Sequence, residues 1–422
     1  MDLKDVKFGD EMKDEFLLDK SCAFVNHGSY GPTPKRVVEQ KVKFIYEQEA
    51  QPDLWFRFNL EKYYDASLTA AAEFLGVKKS NLVLVDNVTT GINTVVKCLK
   101  FEPGDQILIH THTYNAVKNI ADEQEDFIKG VKVVTAEIPL PIKSEDDLVD
   151  VFRKALDENP KIKLAVLDHI TSPSAIIFPV EKLTKLCRER GVLTLIDGAH
   201  APGQIKLNVA KIGADFYSAN FHKWCYVPRS CGFIWFSDDF HGQLRPLVTS
   251  HGYKHSLDDQ FNNLGTRDIS SYFCIPHALK FYKEIGGLEA IQAHGRELTK
   301  FAAKILCEAL GTEELDIPDS MRAPCMTTIR LPLKKPAKLE EIWDLTKDFY
   351  TKYGMQACFN YCNETTFLRL SFNVYNSKAD YVAIKESVVK FVNEDLKHLK
   401  LLKKVNSVFF NSMMVHGDLF LN

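Results

Sequence analysis

The sequence predicts an α/β fold, in which a large domain has a mostly parallel central sheet sandwiched by helices and a smaller α+β domain follows. Short apolar runs of strand length, such as 82–85 and 106–110, alternate with stretches that carry helix start and stop signals. The run 192–196 ends directly at Asp197. A polar side chain at the carboxyl end of a buried strand is typical of parallel sheets. From about Gly286 a long helical pattern replaces the alternation, which predicts the second domain.

Local signals place the elements in order along the chain. Residues 1–23 are polar and predict an irregular arm, Pro34 begins a helix and Ser144 caps another. The predicted helices lie at 34–49, around 55–64, from the turn 86–91 to about 100, at 144–156, 179–190, 288–310 and 339–352, and after 375. The predicted strands are 82–85, 106–110, 163–167, 192–196, 215–218, 232–236, 327–331 and 367–371. The tail from Lys397 is expected to pack on the second domain.

Composition narrows the class of protein. With 422 residues the chain is long for one core, so we expect two domains. The balance of 53 basic against 56 acidic residues gives no sign of a nucleic-acid or membrane partner. The N-terminus has no apolar targeting segment, and the ten cysteines form no disulfide framework. We therefore expect a cytoplasmic protein with reduced thiols.

A metal site is disfavoured by the spacing of the cysteines. Cys358 and Cys362 are the closest pair, and no further ligands stand near them at the spacing of a zinc site.

The stretch from Val192 to Phe236 carries the strongest chemical signal. Asp197 follows one apolar strand, and Lys223 lies between two more, in Asn220-Phe221-His222-Lys223-Trp224. This arrangement suits pyridoxal 5'-phosphate (PLP), because the lysine forms a Schiff base and the aspartate keeps the pyridine nitrogen protonated. The alternative is a helix-capping aspartate and a surface lysine. Because strand, Asp-x-x-His, strand and His-Lys recur together as a whole motif, we favour the cofactor interpretation.

Asp197-Gly198-Ala199-His200-Ala201-Pro202-Gly203 and the His-Lys-Trp motif resemble the class V aminotransferase superfamily of fold-type I PLP enzymes. Within it the chain is most similar to the isopenicillin N epimerase-like branch, which includes cysteine desulfhydrases and cysteine-sulfoxide lyases. The resemblance runs from about Phe24 to Ala383. It implies an N-terminal segment, 1–55, that packs on the active site, a large PLP-binding domain, 56–285, and a small C-terminal domain, 286–422.

The turn after the strand 82–85 predicts an anion site on its own chemistry. A strand that delivers Thr89 and Thr90 to a helix N-terminus brings hydroxyls and free backbone N–H groups together. An ordinary N-cap uses the same geometry, so the two interpretations do not exclude each other. The resemblance implies that this turn holds the cofactor phosphate.

The resemblance also assigns the remaining cofactor contacts. Tyr114 is expected to stack on the pyridine ring, with His112 as the weaker choice. Ser172 and His200 are expected on the side of the 3-hydroxyl group. His222 is also expected at the cofactor. Its role there is left open between stacking on the ring, proton transfer and packing. Asp168 and His169 are expected to lie behind these residues.

Three further residues are expected to bind the substrate, and one to join two subunits. Arg369 matches the Arg-x-Ser motif whose guanidinium takes the substrate α-carboxylate, although a surface salt bridge is the simpler alternative. Asn26 and His27 are expected to line the substrate pocket. Thr266 matches a threonine that reaches the phosphate of the neighbouring subunit, which predicts a homodimer with shared active sites.

The enzymes of this superfamily use the same catalytic residues for different reactions. The sequence therefore predicts the cofactor more specifically than the reaction. Lys223 and Asp197 are the expected catalytic residues, assisted by His200. We expect a C–S lyase that acts on a sulfur-containing amino acid and gives pyruvate, ammonia and a thiol or sulfenate. The alternatives are an epimerase, with His27 or His251 as the second acid, an aminotransferase, and a desulfurase, with Cys362 as nucleophile. A catalytically inactive scaffold is the alternative of a different class. The relatives usually carry tryptophan where this chain has His251, which leaves the substrate open.

Overall fold

A computed structural model describes residue 3 and residues 6–333 and 336–394. In this part of the chain, seven strands form one sheet in the order β1-β7-β6-β5-β4-β2-β3, and three more form a second sheet in the order β8-β10-β9. The strands are β1 (Leu82–Val85), β2 (Gln106–His110), β3 (Lys132–Ala136), β4 (Ile162–Asp168), β5 (Leu193–Asp197), β6 (Phe216–Asn220), β7 (Gly232–Phe236), β8 (Met326–Arg330), β9 (Cys358–Cys362) and β10 (Thr365–Ser371). Strand β7 runs antiparallel to β1 and β6, and the other pairs of the large sheet are parallel. The predicted α/β architecture is confirmed.

Helices cover both faces of the large sheet and one side of the small one. They are α1 (Asp10–Lys13), α2 (His27–Tyr30), α3 (Lys35–Ala50), α4 (Pro52–Leu54), α5 (Leu60–Leu75), α6 (Val88–Cys98), α7 (Asn115–Phe127), α8 (Glu145–Glu158), α9 (Val180–Arg188), α10 (Val209–Ile212), α11 (Phe221–Trp224), α12 (Leu257–Asn262), α13 (Ser270–Phe273), α14 (Ile275–Glu284), α15 (Gly287–Leu310), α16 (Ile342–Tyr353) and α17 (Lys378–Glu394). A π-helical turn, Trp55–Asn59, joins α4 to α5.

The large sheet is buried on both faces, which explains its apolar strands. Every residue of β1, β6 and β7 is buried. One core lies on each face of the sheet, with Leu84 and Leu108 in one and Val83 and Ile107 in the other. Because helices cover both faces of the sheet, side chains on both sides of each strand are buried. The strands therefore appear in the sequence as short apolar runs, without alternating polar residues. Strand β3, at the sheet edge and mostly half-buried or exposed, has no such run and was not predicted.

The small sheet has its own core, shared with the N-terminal segment. Leu298 of α15 and Ile384 of α17 pack in this core with Leu368 of β10, and Val25 packs there as well. The N–H of Ser371 donates to the carbonyl of Val25 at 2.8 Å. The N-terminal segment therefore reaches the same end of the molecule as β10.

The helix boundaries follow the chemistry of their caps. Ser144 accepts from the N–H of Asp147, and the side chain of Asp147 accepts in return from the N–H of Ser144, which forms a capping box. Helix α15 begins one residue before its predicted start and ends at Leu310 as predicted. The predicted packing of the tail from Lys397 falls outside the described residues. No helix among those described is long and apolar enough to cross a membrane.

Candidate active site

Two parallel strands bring Lys223, His200 and Asp197 together. Strand β5 ends at Asp197, and β6 ends at Asn220 immediately before the single turn α11, which presents Lys223. The Lys223 Nζ atom lies 3.1 Å from His200 Nε2. The N–H of Ala199 donates to Asp197 Oδ1 at 2.9 Å, which fixes the orientation of that carboxylate. The pattern Asp-x-x-His thus places both side chains beside the lysine.

Burial makes the charged forms of these groups costly. Burial, and after it the charge of Arg369, lowers the pKa of Lys223 to about 8, while Asp197 acts in the opposite direction. Burial, and after it Asp168, raises the pKa of Asp197 to about 7. Burial holds the pKa of His200 well below its usual value, and Lys223, Arg369 and His27 add to that effect. The lysine amine is thus accessible in its neutral form near neutral pH.

A second carboxyl group stands behind Asp197. Asp168, on β4, is the register partner of Asp197, and its Oδ2 lies 2.9 Å from His110 Nε2. Burial raises the pKa of Asp168 well above its usual range and lowers the pKa of His110 to about 3. The neighbouring His169 contacts the hydroxyl of Tyr217 at 2.8 Å through Nδ1. Asp168 and His169 thus lie beside Asp197 on the neighbouring strand, and their expected place behind the cofactor contacts stays a prediction.

Helix α6 begins at the same edge of the sheet. The Asn87 side chain accepts from the N–H of Thr90 at 2.9 Å, and Asn220 Oδ1 accepts from the N–H of Val88 at 3.0 Å. Thr89 and Thr90 are half-buried in this first turn. A Cβ atom at Gly91 would collide with Ser218, so glycine lets the helix N-terminus approach β6. The predicted strand-to-helix anion geometry is present, and Asn87 occupies one of its N–H groups.

Arg369 is buried in a ring of oxygen atoms. Its Nη1 donates to the carbonyl oxygen and to Oγ of Ser172, at 2.7 and 3.1 Å. Its Nη2 donates to Asn26 Oδ1 at 3.1 Å and to Ser29 Oγ at 2.8 Å. The guanidinium is only 3% exposed and pairs with no carboxylate in the described residues, which excludes the surface salt bridge. Ser172 therefore positions Arg369 here, and its expected place on the side of the 3-hydroxyl group stays a prediction.

His27 is held among protein atoms, and its expected place in the substrate pocket stays a prediction. The side chain is fully buried, with Nδ1 2.9 Å from the hydroxyl of Tyr375 and Nε2 2.6 Å from the carbonyl oxygen of Lys223. Both ring nitrogens are thus engaged with protein atoms. The imidazole supports the turn that carries Lys223. Asn26, by contrast, contacts Arg369 directly.

The other predicted residues lie at different depths. Tyr114 is 45% exposed, and Asp197 and Arg369 both act on its phenol electrostatically, so it shares the pocket. His112 is buried and contacts Ser174 Oγ at 2.7 Å, and the stacking role expected of Tyr114 stays a prediction. His222 Nδ1 lies 2.7 Å from the carbonyl oxygen of Cys231, so this ring is tied to the backbone before β7. Thr266 is exposed.

Six of the ten cysteines are buried and four are half-buried, and one of the half-buried thiols, Cys358, lies near the site. All ten are free thiols, and burial raises the pKa of Cys362 to about 12, which disfavours a nucleophilic role. Cys358 is half-buried, is the register partner of Arg369, and acts electrostatically on Lys223. No group of three or more potential metal ligands occurs in the described ranges.

Four contributors were not assigned from the sequence: Trp224, Ser29, Tyr375 and Cys358. Trp224 and Ser29 are sequence neighbours of assigned residues, which was the signal that pointed toward them. The position of Cys358 beside Arg369 depends on the pairing of β9 with β10. The sequence of β9 has no alternating pattern from which that strand could be predicted.

Comparison with known proteins agrees with this geometry. The family model of the class-V aminotransferases matches residues 29–383. The chain is 29% identical over 393 residues to the hercynylcysteine sulfoxide lyase of Schizosaccharomyces pombe, covering 91% of this chain and 98% of that protein. It is 27% identical over 409 residues to the L-cysteine desulfhydrase of Arabidopsis thaliana, covering 89% and 88%.

A solved structure supports the architecture. The cystine C–S lyase C-DES, in complex with its product cysteine persulfide, superposes with a TM-score of 0.72 at 16% identity. The match covers 87% of this chain and 97% of that one. At this level of identity the likeness shows the fold, and it confirms the fold-type I arrangement.

Proposed function

This chain belongs to the class-V aminotransferase family, and we propose that it is a PLP-dependent C–S lyase acting on a sulfur-bearing amino acid. The reaction is β-elimination from cysteine or from a cysteine S-conjugate or sulfoxide, which gives pyruvate, ammonia and a thiol or sulfenate. The observation that carries the proposal is the Lys223 amine, with a pKa lowered to about 8, in a pocket shared with Asp197 and Arg369. The names of the lyase and desulfhydrase relatives support the substrate class.

The donor set fits PLP. Lys223 supplies the amine, Asp197 a carboxylate for the pyridine nitrogen, and the first turn of α6, with Thr89 and Thr90, an anion site for the phosphate. Lys223 and Asp197 interact electrostatically, yet no ion pair joins them in the described residues, so both groups stay available. When bound there, PLP supplies the electron sink that makes the substrate α-proton acidic.

Lys223 is the group that moves the proton. Its pKa, lowered to about 8, brings the neutral amine within reach of neutral pH, and the lone pair of that neutral Nζ can accept the α-proton. The ammonium formed can then return a proton to the departing sulfur atom. His27 holds the carbonyl oxygen of Lys223 and so limits the positions that Nζ can adopt. Elimination needs this one base and space for the leaving group.

Arg369 is the anchor for the substrate α-carboxylate. Four of its five N–H groups are already directed at oxygen atoms of Ser172, Asn26 and Ser29, while the buried Nε has no hydrogen-bond partner in the part of the chain that the structure describes. These contacts hold the guanidinium plane in place before substrate arrives. A carboxylate can take Nε and replace one of the neutral oxygens, because a charged acceptor forms the stronger hydrogen bond.

Neither candidate for the second acid of an epimerase is supported by the contacts of the described residues within one chain. An epimerase needs an acid on the face opposite Lys223, and His27 and His251 were the candidates. Both nitrogens of His27 contact protein atoms, and burial lowers its pKa to about 3. His251 is exposed, in the loop before α12. The lyase therefore remains the better-supported reaction.

A specific observation favours sulfur transfer as the second candidate. Cys358 is the register partner of Arg369 and acts electrostatically on Lys223. In that reaction the Cys358 thiolate attacks the substrate sulfur, the substrate C–S bond breaks, and the products are alanine and a persulfide on Cys358. Alanine in place of pyruvate distinguishes this reaction from the lyase.

We also propose a homodimer with shared active sites, in a reducing cytoplasmic compartment. Apolar side chains are exposed around the loop that follows β7, where Leu247 is 46% and Tyr253 61% exposed, and Tyr30 beside the site is 74% exposed. Thr266, also exposed, is the residue expected to reach the partner subunit. The ten free thiols support the compartment. Sedimentation of wild type and Thr266→Glu tests the dimer, and a monomeric wild-type enzyme with full activity would overturn it.

A substrate panel tests the proposed function. The purified enzyme is incubated with cysteine, cystine, S-alkyl cysteines and cysteine sulfoxides. Pyruvate, ammonia, sulfur products, alanine and the enantiomer of each amino acid are quantified together. We expect pyruvate and ammonia in equal amounts from at least one sulfur amino acid. Alanine without pyruvate would replace the lyase by the sulfur-transfer reaction.

A further inference from the structure

Trp224 makes a contact that decides which nitrogen of His200 carries a proton. Its indole Nε1 donates a hydrogen bond to His200 Nδ1 at 3.3 Å. Both side chains are buried, Trp224 at 2% and His200 at 0% exposure. An indole nitrogen can donate but cannot accept, so Nδ1 must offer its lone pair.

The state of the other nitrogen follows from the charge of the ring. Burial and the nearby Lys223, Arg369 and His27 hold the pKa of His200 well below its usual value, so the ring is neutral. A neutral imidazole has one N–H group. With Nδ1 accepting, that group is Nε2–H, and Nε2 is the atom that lies 3.1 Å from Lys223 Nζ.

We propose that Trp224 is a positioning residue that locks His200 in the Nε2–H tautomer, so that His200 presents a hydrogen-bond donor at the amine of Lys223. A donor at this place stabilises the unprotonated amine, or an acceptor atom of cofactor or substrate that lies there instead. The opposite tautomer would present a lone pair and stabilise the protonated amine. The inference goes beyond the lyase proposal, because it holds whichever bond the enzyme breaks.

The packing around His200 prevents the ring from turning over. A Cβ atom at Gly28 would lie 3.5 Å from both His200 Cε1 and Trp224 Cζ2, so α2 is close to both rings. The carbonyl oxygen of His200 accepts from Gln204 Nε2 at 2.8 Å, which fixes the backbone. A ring flip would place a carbon atom against the indole N–H and leave a buried donor unpaired, which is unfavourable. The geometry therefore selects one orientation as well as one tautomer.

Nitrogen-15 NMR of the histidine-labelled holoenzyme tests the lock directly. The His200 signals are identified by their loss in His200→Gln, and the chemical shifts of Nδ1 and Nε2 distinguish a protonated from an unprotonated ring nitrogen. In wild type we expect unprotonated Nδ1 and protonated Nε2. A protonated Nδ1 would overturn the proposal without recourse to any Trp224 variant.

Substitution of the indole separates the lock from simple packing. In Trp224→Phe we expect His200 to lose its single tautomer and kcat to fall by about tenfold, the loss expected for one hydrogen bond, with KM changed little. Trp55→Phe is the matched control, because Trp55 is as buried and lies among Phe44, Tyr63 and Phe273, away from His200.

If Trp224→Phe does not fold, replacement of residue 224 by benzothienylalanine keeps the ring size and removes only the N–H group. An unchanged His200 tautomer in either folded variant would contradict the proposal. Loss of the tautomer in Trp55→Phe would attribute the effect to packing and would also contradict it.

Discussion

Asp168 and Asp197 lie opposite each other at the carboxyl ends of β4 and β5, as register partners in neighbouring parallel strands. Two buried carboxyl groups on paired residues repel each other when both are ionised, and burial raises the pKa of each. The pKa of Asp197 is raised to about 7, mainly by burial and after it by the charge of Asp168. A cationic ring nitrogen placed beside Asp197 would relieve this cost. The unfavourable electrostatics of the cofactor-free site are therefore part of its affinity for PLP.

The first prediction follows from that raised pKa. The folded protein binds a proton at Asp197 up to about pH 7, whereas the unfolded chain releases it near 3.8. The contribution of the protonated Asp197 side chain to the free energy of unfolding is therefore fully present below the pKa of the unfolded chain. This contribution is lost as the pH rises toward 7. In cofactor-depleted protein we expect wild type to lose stability relative to Asp197→Asn over this window, by on the order of 1 kcal/mol per pH unit.

Urea unfolding of both proteins at several pH values measures this difference. Asp168→Asn serves as the control, because loss of the neighbouring carboxyl should move the window to lower pH. A difference between wild type and Asp197→Asn that does not change with pH would show that Asp197 titrates normally.

The second prediction concerns Arg369. Arg369→Lys should raise KM by roughly 10- to 100-fold, because a lysine ammonium cannot form the two-pronged pair and leaves Ser172 and Asn26 without donors. Steady-state kinetics with cysteine provide the measurement. Arg330→Lys on β8 is the matched control, because Arg330 is exposed and lies on the next strand of the same sheet. A KM within twofold of wild type in Arg369→Lys would remove Arg369 from substrate binding.

The third prediction concerns His27, which bridges Tyr375 and the backbone of Lys223. His27→Phe leaves the Tyr375 hydroxyl buried without this partner, so stability should fall by about 1–3 kcal/mol. Because Lys223 loses its support, kcat should fall while KM stays close to wild type. Tyr375→Phe removes the contact at Nδ1 alone and should lower stability with a smaller effect on kcat. A large rise in KM in His27→Phe, with kcat unchanged, would contradict this supporting role and indicate direct contact with the substrate.

The fourth prediction separates the two cysteines. Cys362→Ser should keep lyase activity, because burial raises the pKa of this thiol to about 12 and leaves it protonated. Cys358→Ser should likewise keep pyruvate production if elimination is the reaction. Mass spectrometry of the protein after turnover shows whether either thiol carries extra sulfur. Sulfur retained on Cys362 would contradict its burial in this structure.

The sequence was most informative where burial and cofactor chemistry constrain it together. Strands β1, β2, β4, β5, β6, β7, β8 and β10 were all predicted to within a few residues. Most of them are short runs dominated by apolar residues and bounded by turn signals or polar residues, whereas β8 and β10 also carry threonine and arginine. Asp197, His200 and Lys223 come together because two parallel strands end at the same edge. That geometry follows from the motif alone.

Other features depend on contacts between residues that are far apart in the sequence, and these could not be predicted from local patterns. Strand β9, CFNYC, mixes apolar and polar residues without alternation, so neither its pairing nor the place of Cys358 could be inferred. His27 and Ser172 stand in the expected segments, but their partners, Tyr375 and Arg369, are far away in sequence. Local patterns place a side chain near a site, and long-range packing decides which atom it contacts.

The most direct test of the central claim is the yield of pyruvate per sulfur released from cysteine or its S-conjugates, in wild type and in Lys223→Ala. For wild type we predict one pyruvate and one ammonia for each thiol, sulfide or sulfenate released. For Lys223→Ala, with Lys132→Ala on the surface as control, we predict turnover at least roughly 10²-fold lower, the loss of a general base. The account is contradicted if wild type yields no pyruvate from any of these substrates while an amino acid exchanges its α-proton with inversion.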